Sequence, residues 1–182
     1  MAAAAMTMTA GMWAQAPAPA PAASSEIETA LLAAPAQMRK EAAVIKWKPD
    51  FTYETIRKGT NRLVCFDSST LPNQQPFSVE CSSEANLERI TQNLRIEAEP
   101  DPAKRRALVA EAEKNGTRPK PEYGSVWFSL RGKDRESARL HKTVALPGAT
   151  AQSTGLPDNG RQGGAWIMDA GTSAAHLMVP GD

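Results

Sequence analysis

The sequence predicts an α+β fold, with a mostly antiparallel sheet of about five to seven strands covered on one side by two or three helices. Three observations carry this. Short β-branched and aromatic runs, such as Ala43-Val44-Ile45-Lys46-Trp47 and Val126-Trp127-Phe128-Ser129-Leu130, are separated by turn residues. Between residues 82 and 115 the apolar spacing switches to that of helices. Strand-like and helix-like segments come in blocks rather than as alternating β-α-β units, which argues against a parallel doubly wound sheet.

A chain of 182 residues is enough for one domain with a real core. The 21 basic and 20 acidic side chains nearly cancel, so no basic excess points to nucleic acid. No stretch reaches the 18 or so apolar residues of a membrane span. The few aromatics include Trp47, Trp127 and Trp166, which are read first as core residues.

Residues 1–23 carry no charge and run from alanines, methionines and Trp13 into Ala14-Gln15-Ala16 and an Ala/Pro repeat. This is read as a signal peptide with a Pro-rich spacer. It lacks a basic start, and the competing reading is a low-complexity tail without a targeting role. The domain expectation is therefore a signal segment or spacer at 1–23 and a single α+β domain at 24–182.

The chain is then taken in order. Ser24 and Ser25 are N-cap residues for a helix carrying Ile27, Leu31 and Leu32, and Pro35 interrupts it. Ala36 to Ala43 reads as a second short helical piece. Ala43 to Trp47 is a strand. Thr52 to Phe66 reads as a hairpin, with Gly59 and Asn61 supplying a tight turn of positive φ. Asp67 to Val79 is read as a polar loop. Leu87, Ile90 and Leu94 form one helical stripe. Asp101 caps a following helix with Pro102 at its first position, and Asn115-Gly116 ends it. Tyr123 to Gly132 is a strand, Lys133 to Lys142 a charged and mobile stretch, and Thr143 to Leu146 a short strand. Ala149 to Gly164 is a long loop, functional or disordered. Residues 164–169 and 174–179 close the chain as a strand pair.

Cys65 and Cys81 are the chain's two cysteines. In an exported protein they read most simply as one disulfide, worth about 3 kcal/mol by loop closure. The alternative is a redox or nucleophilic cysteine, against which stand the spacing and the lack of a neighbouring His or Lys. The two histidines, His141 and His176, fall on different segments, and no metal-ligand pattern, phosphate loop or nucleophile elbow occurs. No cofactor is expected. His176, in a short apolar run, is either a satisfied sheet histidine or a general base beside Asp169, Trp166 or the 149–164 loop. Arg57 and Asn61 are weaker candidates for polar ligand contacts.

Gly59-Thr60-Asn61 followed by Cys65 and Cys81, with His176-Leu177-Met178-Val179-Pro180 at the end, resembles a loose group of small exported bacterial proteins with no known activity. That group commonly has a tryptophan before the first cysteine, where this chain has Arg62-Leu63-Val64. The resemblance implies export and one α+β domain. The functional expectation is thus a periplasmic or secreted soluble protein that binds a small molecule or an envelope partner without catalysis. The alternative is a small hydrolase-like enzyme using His176 as general base.

Overall fold

The backbone of residues 21–179 is described by a computed structural model, and alternation along its strands sorts the side chains onto two buried faces. Eight strands make one mixed sheet: β1 (Ala43–Trp47), β2 (Tyr53–Arg57), β3 (Leu63–Asp67), β4 (Phe77–Ser83), β5 (Val126–Gly132), β6 (Arg139–Ala145), β7 (Trp166–Met168) and β8 (His176–Met178). Their order is β2-β1-β3-β4-β5-β6-β8-β7. All neighbours are antiparallel except β1 and β3, which are parallel. The helices are α1 (Pro21–Ala30), α2 (Leu87–Glu97), α3 (Pro102–Lys114) and the single turn α4 (Ala151–Thr154). Among the described residues no helix is long and apolar enough to cross a membrane.

The helices lie on both faces of the sheet, where cover on one side was expected. On one face α1 and its 3-10 continuation set Ile27, Ala30 and Leu31 against Val44, Leu63, Val79 and Phe128. On the other, Ile90 and Leu94 of α2 meet Ile45, Val64, Phe66 and Trp127. Central strands β3 and β4 are therefore buried on both sides: β3 is an unbroken apolar run from Leu63 to Phe66, while β4 alternates apolar with small or polar residues that are buried all the same. The predicted stripe Leu87-Ile90-Leu94 is the face that α2 buries. Asp101 caps α3 as expected, its carboxylate accepting from the amide of Ala103 at 2.7 Å.

Several local expectations are corrected. Helix α1 starts at Pro21, inside the expected spacer, so Ser24 and Ser25 lie within it rather than capping it. Proline suits a first helical turn and the alanines after it propagate the helix. The signal-peptide reading of residues 1–20 lies outside the described residues. Ala36 to Ala43 forms only a 3-10 turn, Ala36–Met38, because Ala43 is taken by the ladder of β1. The polar loop ends at Pro76, and Phe77–Ser83 is a central strand whose inward residues Phe77, Val79 and Cys81 alternate with Ser78, Glu80 and Ser82. The charged stretch before Thr143 is ordered from Arg139 onward as part of β6.

The Thr52–Phe66 hairpin does not form. Strand β2 pairs with β1, and β3 lies on β1's other side, so the 58–62 segment crosses the start of β1 instead of turning tightly. The amide of Thr60 donates to the carbonyl of Glu41 at 2.7 Å, and Asn61 Nδ2 donates to the carbonyl of Met38 at 2.9 Å. Positive φ falls on Arg62, at 61°, and not on Gly59 or Asn61. Gly59 is required by close approach: a Cβ there would lie 2.2 Å from the backbone nitrogen of Ala43.

The disulfide Cys65–Cys81 forms, joining directly opposed residues of β3 and β4. A second internal tie is Asn86, which is fully buried in the turn before α2. Its Nδ2 donates to Ser82 Oγ at 2.8 Å and Ser125 Oγ at 3.0 Å, while its Oδ1 accepts from the amide of Glu122 at 2.8 Å. Asn86→Ala is expected to cost about 2 kcal/mol, because it leaves the buried Ser82 hydroxyl without its donor and the half-buried Glu122 amide without its acceptor. Chemical denaturation of the variant checks this, with the midpoint falling at unchanged slope.

Candidate ligand-binding cleft

The face of the sheet that carries α2 is only partly covered. Helix α2 packs on β1 and β3 and reaches Trp127 of β5, and beyond it β6 is exposed from Arg139 to Lys142. The strand registers align one row of side chains across four strands: Phe66 opposite Glu80, Glu80 opposite Ser129, Ser129 opposite His141. Trp127 and Thr143 form the next opposed pair of β5 and β6. Between this surface and Arg89, Asn93 and Glu97 of α2 lies a cleft of about 320 Å³. Phe66, Leu71, Ile90, Leu94 and Trp127 give it an apolar wall, and most of them belong to the core cluster under α2.

Its polar groups come from separate elements. Glu80 is 7% exposed and accepts from Arg131 Nη2 at 2.5 Å, an ion pair along the cleft floor. Ser68 Oγ donates to the same carboxylate at 3.3 Å. Glu97 is half-buried at the end of α2, and burial, followed by repulsion from Glu80, raises its pKa above the ordinary carboxylate range. A raised carboxylate pKa means that the folded state holds the proton more tightly than the unfolded chain. This contribution favours folding at low pH and is lost as pH rises from the unfolded value, about 4.3, through the folded one. Glu97→Gln is therefore expected to raise the melting temperature at pH 7 and to leave it unchanged near pH 4. Thermal melts across that range check the sign.

Arg89, on α2, is 5% exposed. Its Nη1 donates to the carbonyl of Pro119 at 2.6 Å and to Ser173 Oγ at 3.0 Å. Burial, with Arg118 adding like-charge repulsion, lowers its pKa to about 10. Arg118 donates to Gln92 Oε1 and Asn93 Oδ1, each at 2.6 Å. Its Nε lies 4.0 Å from the Glu113 carboxylate, too far for a hydrogen bond, so that contact is purely electrostatic.

The residues singled out from sequence are dispersed. His176 and Asp169 both line the cleft. Asp169 follows Met168, which pairs with His176, so the two sit at the same end. His176 Nδ1 is 2.8 Å from the carbonyl of Ala174. A carbonyl only accepts, so Nδ1 carries the proton and Nε2 is left as the basic nitrogen. Trp166 does not line the cleft; its indole packs on Gly160, where a Cβ would lie 3.3 Å from the ring, and so holds the 149–164 loop. That loop contains the turn α4 and a 3-10 turn at Gly160–Gln162.

Arg57 and Asn61 lie away from the cleft. Arg57 Nε donates to the carbonyl of Ala42 at 3.1 Å, and its Nη2 to that of Arg39 at 2.5 Å. These bonds satisfy backbone acceptors where the chain crosses β1. Asn61 has the same task at Met38 and also accepts from the amide of Leu63 at 3.0 Å. It borders a second concavity of about 290 Å³ on the α1 face, lined by Met38, Leu63, Val126 and Phe128 with Arg62 and Glu122 at its rim. Among the described residues no cluster of His, Cys, Asp and Glu is suited to a metal ion.

Sequence reasoning did not single out Glu80, Arg89, Glu97, Ser129, Arg131 or His141 as a site. One signal was available: Trp127, Ser129 and Arg131 alternate with the core residues Val126, Phe128 and Leu130, and together mark the cleft face of β5. No protein-family model, no curated protein and no solved structure matches the chain.

Proposed function

We propose that the chain is an exported, non-enzymatic binding protein that takes a small ligand between α2 and the face of β5 and β6. The observation that carries this is the cleft itself. It combines an apolar wall around Trp127 with convergent polar groups from α2, β4, β5, β6 and β8, which is the usual composition of a small-molecule site. Export is supported by the disulfide and by the likeness of Gly59-Thr60-Asn61, Cys65 and Cys81 to small exported bacterial proteins. The test is ligand screening by amide NMR on the full chain. The expected result is that binders shift the amides of Ser129, Thr143 and His176; compounds that shift only residues outside the cleft overturn the proposal. Mass spectrometry of the periplasmic and secreted fractions tests export, which fails if the chain is found only inside the cell with reduced thiols.

A second reading, a hydrolase-like enzyme, is favoured by one specific feature. The bond from His176 Nδ1 to Ala174 leaves Nε2 basic and His176 on the cleft wall. Against it, among the described residues no hydroxyl or thiol is hydrogen-bonded to His176 as a nucleophile would be. Hydrolysis of p-nitrophenyl acetate by the full chain and by His176→Ala decides it. Equal rates remove the enzyme reading.

A further inference from the structure

Among the described residues Arg89 is the least compensated buried charge. A guanidinium has five N–H donors. Arg89 uses Nη1 on two neutral acceptors, the carbonyl of Pro119 and Ser173 Oγ. Among the described residues it forms no ion pair with a carboxylate. The nearest acid, Glu113, is one step away, since Ser173 Oγ donates to it, and Arg118 also draws on that carboxylate. Burying a cation without a counterion is costly. The side-chain polar atoms that are sealed from solvent without a partner are Trp47 Nε1 and Arg118 Nε. The Nε and Nη2 groups of Arg89 also have no hydrogen bond, yet they are not sealed. Arg89 lines the cleft, and these two groups are the donors it has left for an occupant.

None of the acids lining the cleft forms an ion pair with Arg89. Glu80 is held by Arg131. Glu97 is pushed toward its neutral form by burial and by Glu80. Asp169 is exposed at the rim. His141 and Ser129 add groups able to donate hydrogen bonds.

We infer that the cleft takes a small organic carboxylate, with Arg89 reading the anion and the Trp127 wall holding an apolar body. This rests on the binding reading above and narrows it to a ligand class. A carboxylate matches the fork of a guanidinium, and a desolvated charge-assisted pair of this kind discriminates strongly against neutral and cationic analogues.

The test uses three probes of one shape on the full chain: benzoate, benzyl alcohol and benzylammonium, titrated while backbone amides are followed by NMR. Benzoate is expected to bind at least tenfold more tightly than the other two, shifting the amides of Ser129, Thr143 and Ala145. It should also shift the Nε–H resonance of Arg89, a readout that needs no variant. Arg89→Gln is expected to bring benzoate down to the level of benzyl alcohol without changing the alcohol. If benzyl alcohol or benzylammonium binds in the cleft as tightly as benzoate, the carboxylate inference is overturned and the binding reading stands. If none of the three shifts the cleft amides, both are overturned.

Discussion

Replacing Cys65 and Cys81 together by alanine is expected to lower stability by about 3 kcal/mol, which for a chain of this size is a fall of about 6–12 °C in melting temperature. The two residues are 16 apart in sequence, so the crosslink removes a modest loop from the unfolded ensemble. They face each other across β3 and β4 with Cα atoms 4.1 Å apart, the near spacing of a non-hydrogen-bonded cross-strand pair. The sheet thus brings the sulfurs together without backbone movement, and the loop-closure gain is retained. Both residues are fully buried among Leu63, Val79 and Ala30, so the lost sulfur packing adds to the entropic effect. Thermal and chemical denaturation of the double variant measure the sum. A loss below about 1 kcal/mol would mean that strand pairing already restrains the unfolded chain at this point.

Gly59→Ala is expected to destabilise by about 3 kcal/mol or more, at the upper end of overpacking effects. A Cβ at this position would stand 2.2 Å from Ala43 N, 2.6 Å from the carbonyl carbon of Ala42 and 2.6 Å from the carbonyl oxygen of Glu41. All three are backbone atoms, so no side chain can rotate away. Ala43 opens β1 and is paired with Val64 of β3, and Glu41 accepts from Thr60 and Asn61. Relief would require moving the crossing segment and the parallel pair together. Gly116→Ala is the control: a Cβ there would meet nothing within 4 Å, although its φ of +75° gives a smaller backbone cost. Comparable losses for the two variants would sink the close-approach explanation.

What could be read from sequence was local. The α2 stripe, the Asp101 cap with Pro102, the β5 alternation and the closing strand pair each depend on residues within one turn or one strand. The cysteine pairing was legible because the chain has only two cysteines. Most errors came where distant residues decide. Gly59 and Asn61 have turn chemistry, yet β2 and β3 both prefer β1, and strand order is not encoded near the turn. Strand β4 alternates Phe77, Val79 and Cys81 with Ser78, Glu80 and Ser82, but the run follows Pro72, Asn73 and Pro76 directly and so reads as the end of their loop. The cleft was illegible because Arg89, Glu80, Ser129 and His141 become neighbours only once α2, β4, β5 and β6 are placed, and His176 and Asp169 alone do not announce a site.

The strands at the two ends of the sheet bear on how the folded molecule behaves when crowded with copies of itself. An open sheet offers unpaired backbone at each margin, and such margins recruit strands from other chains. Here one margin is β2, with exposed Tyr53, Glu54 and Thr55 and with Arg57 turned inward to the carbonyls of Ala42 and Arg39. A carboxylate in mid-strand opposes a like strand laid against it. The other margin is β7, only three residues long and ended by Asp169 at a φ of 53°. That left-handed residue bends the chain away before a fourth pairing can form. Both margins are poor templates, so the native protein is built to resist growth by strand addition.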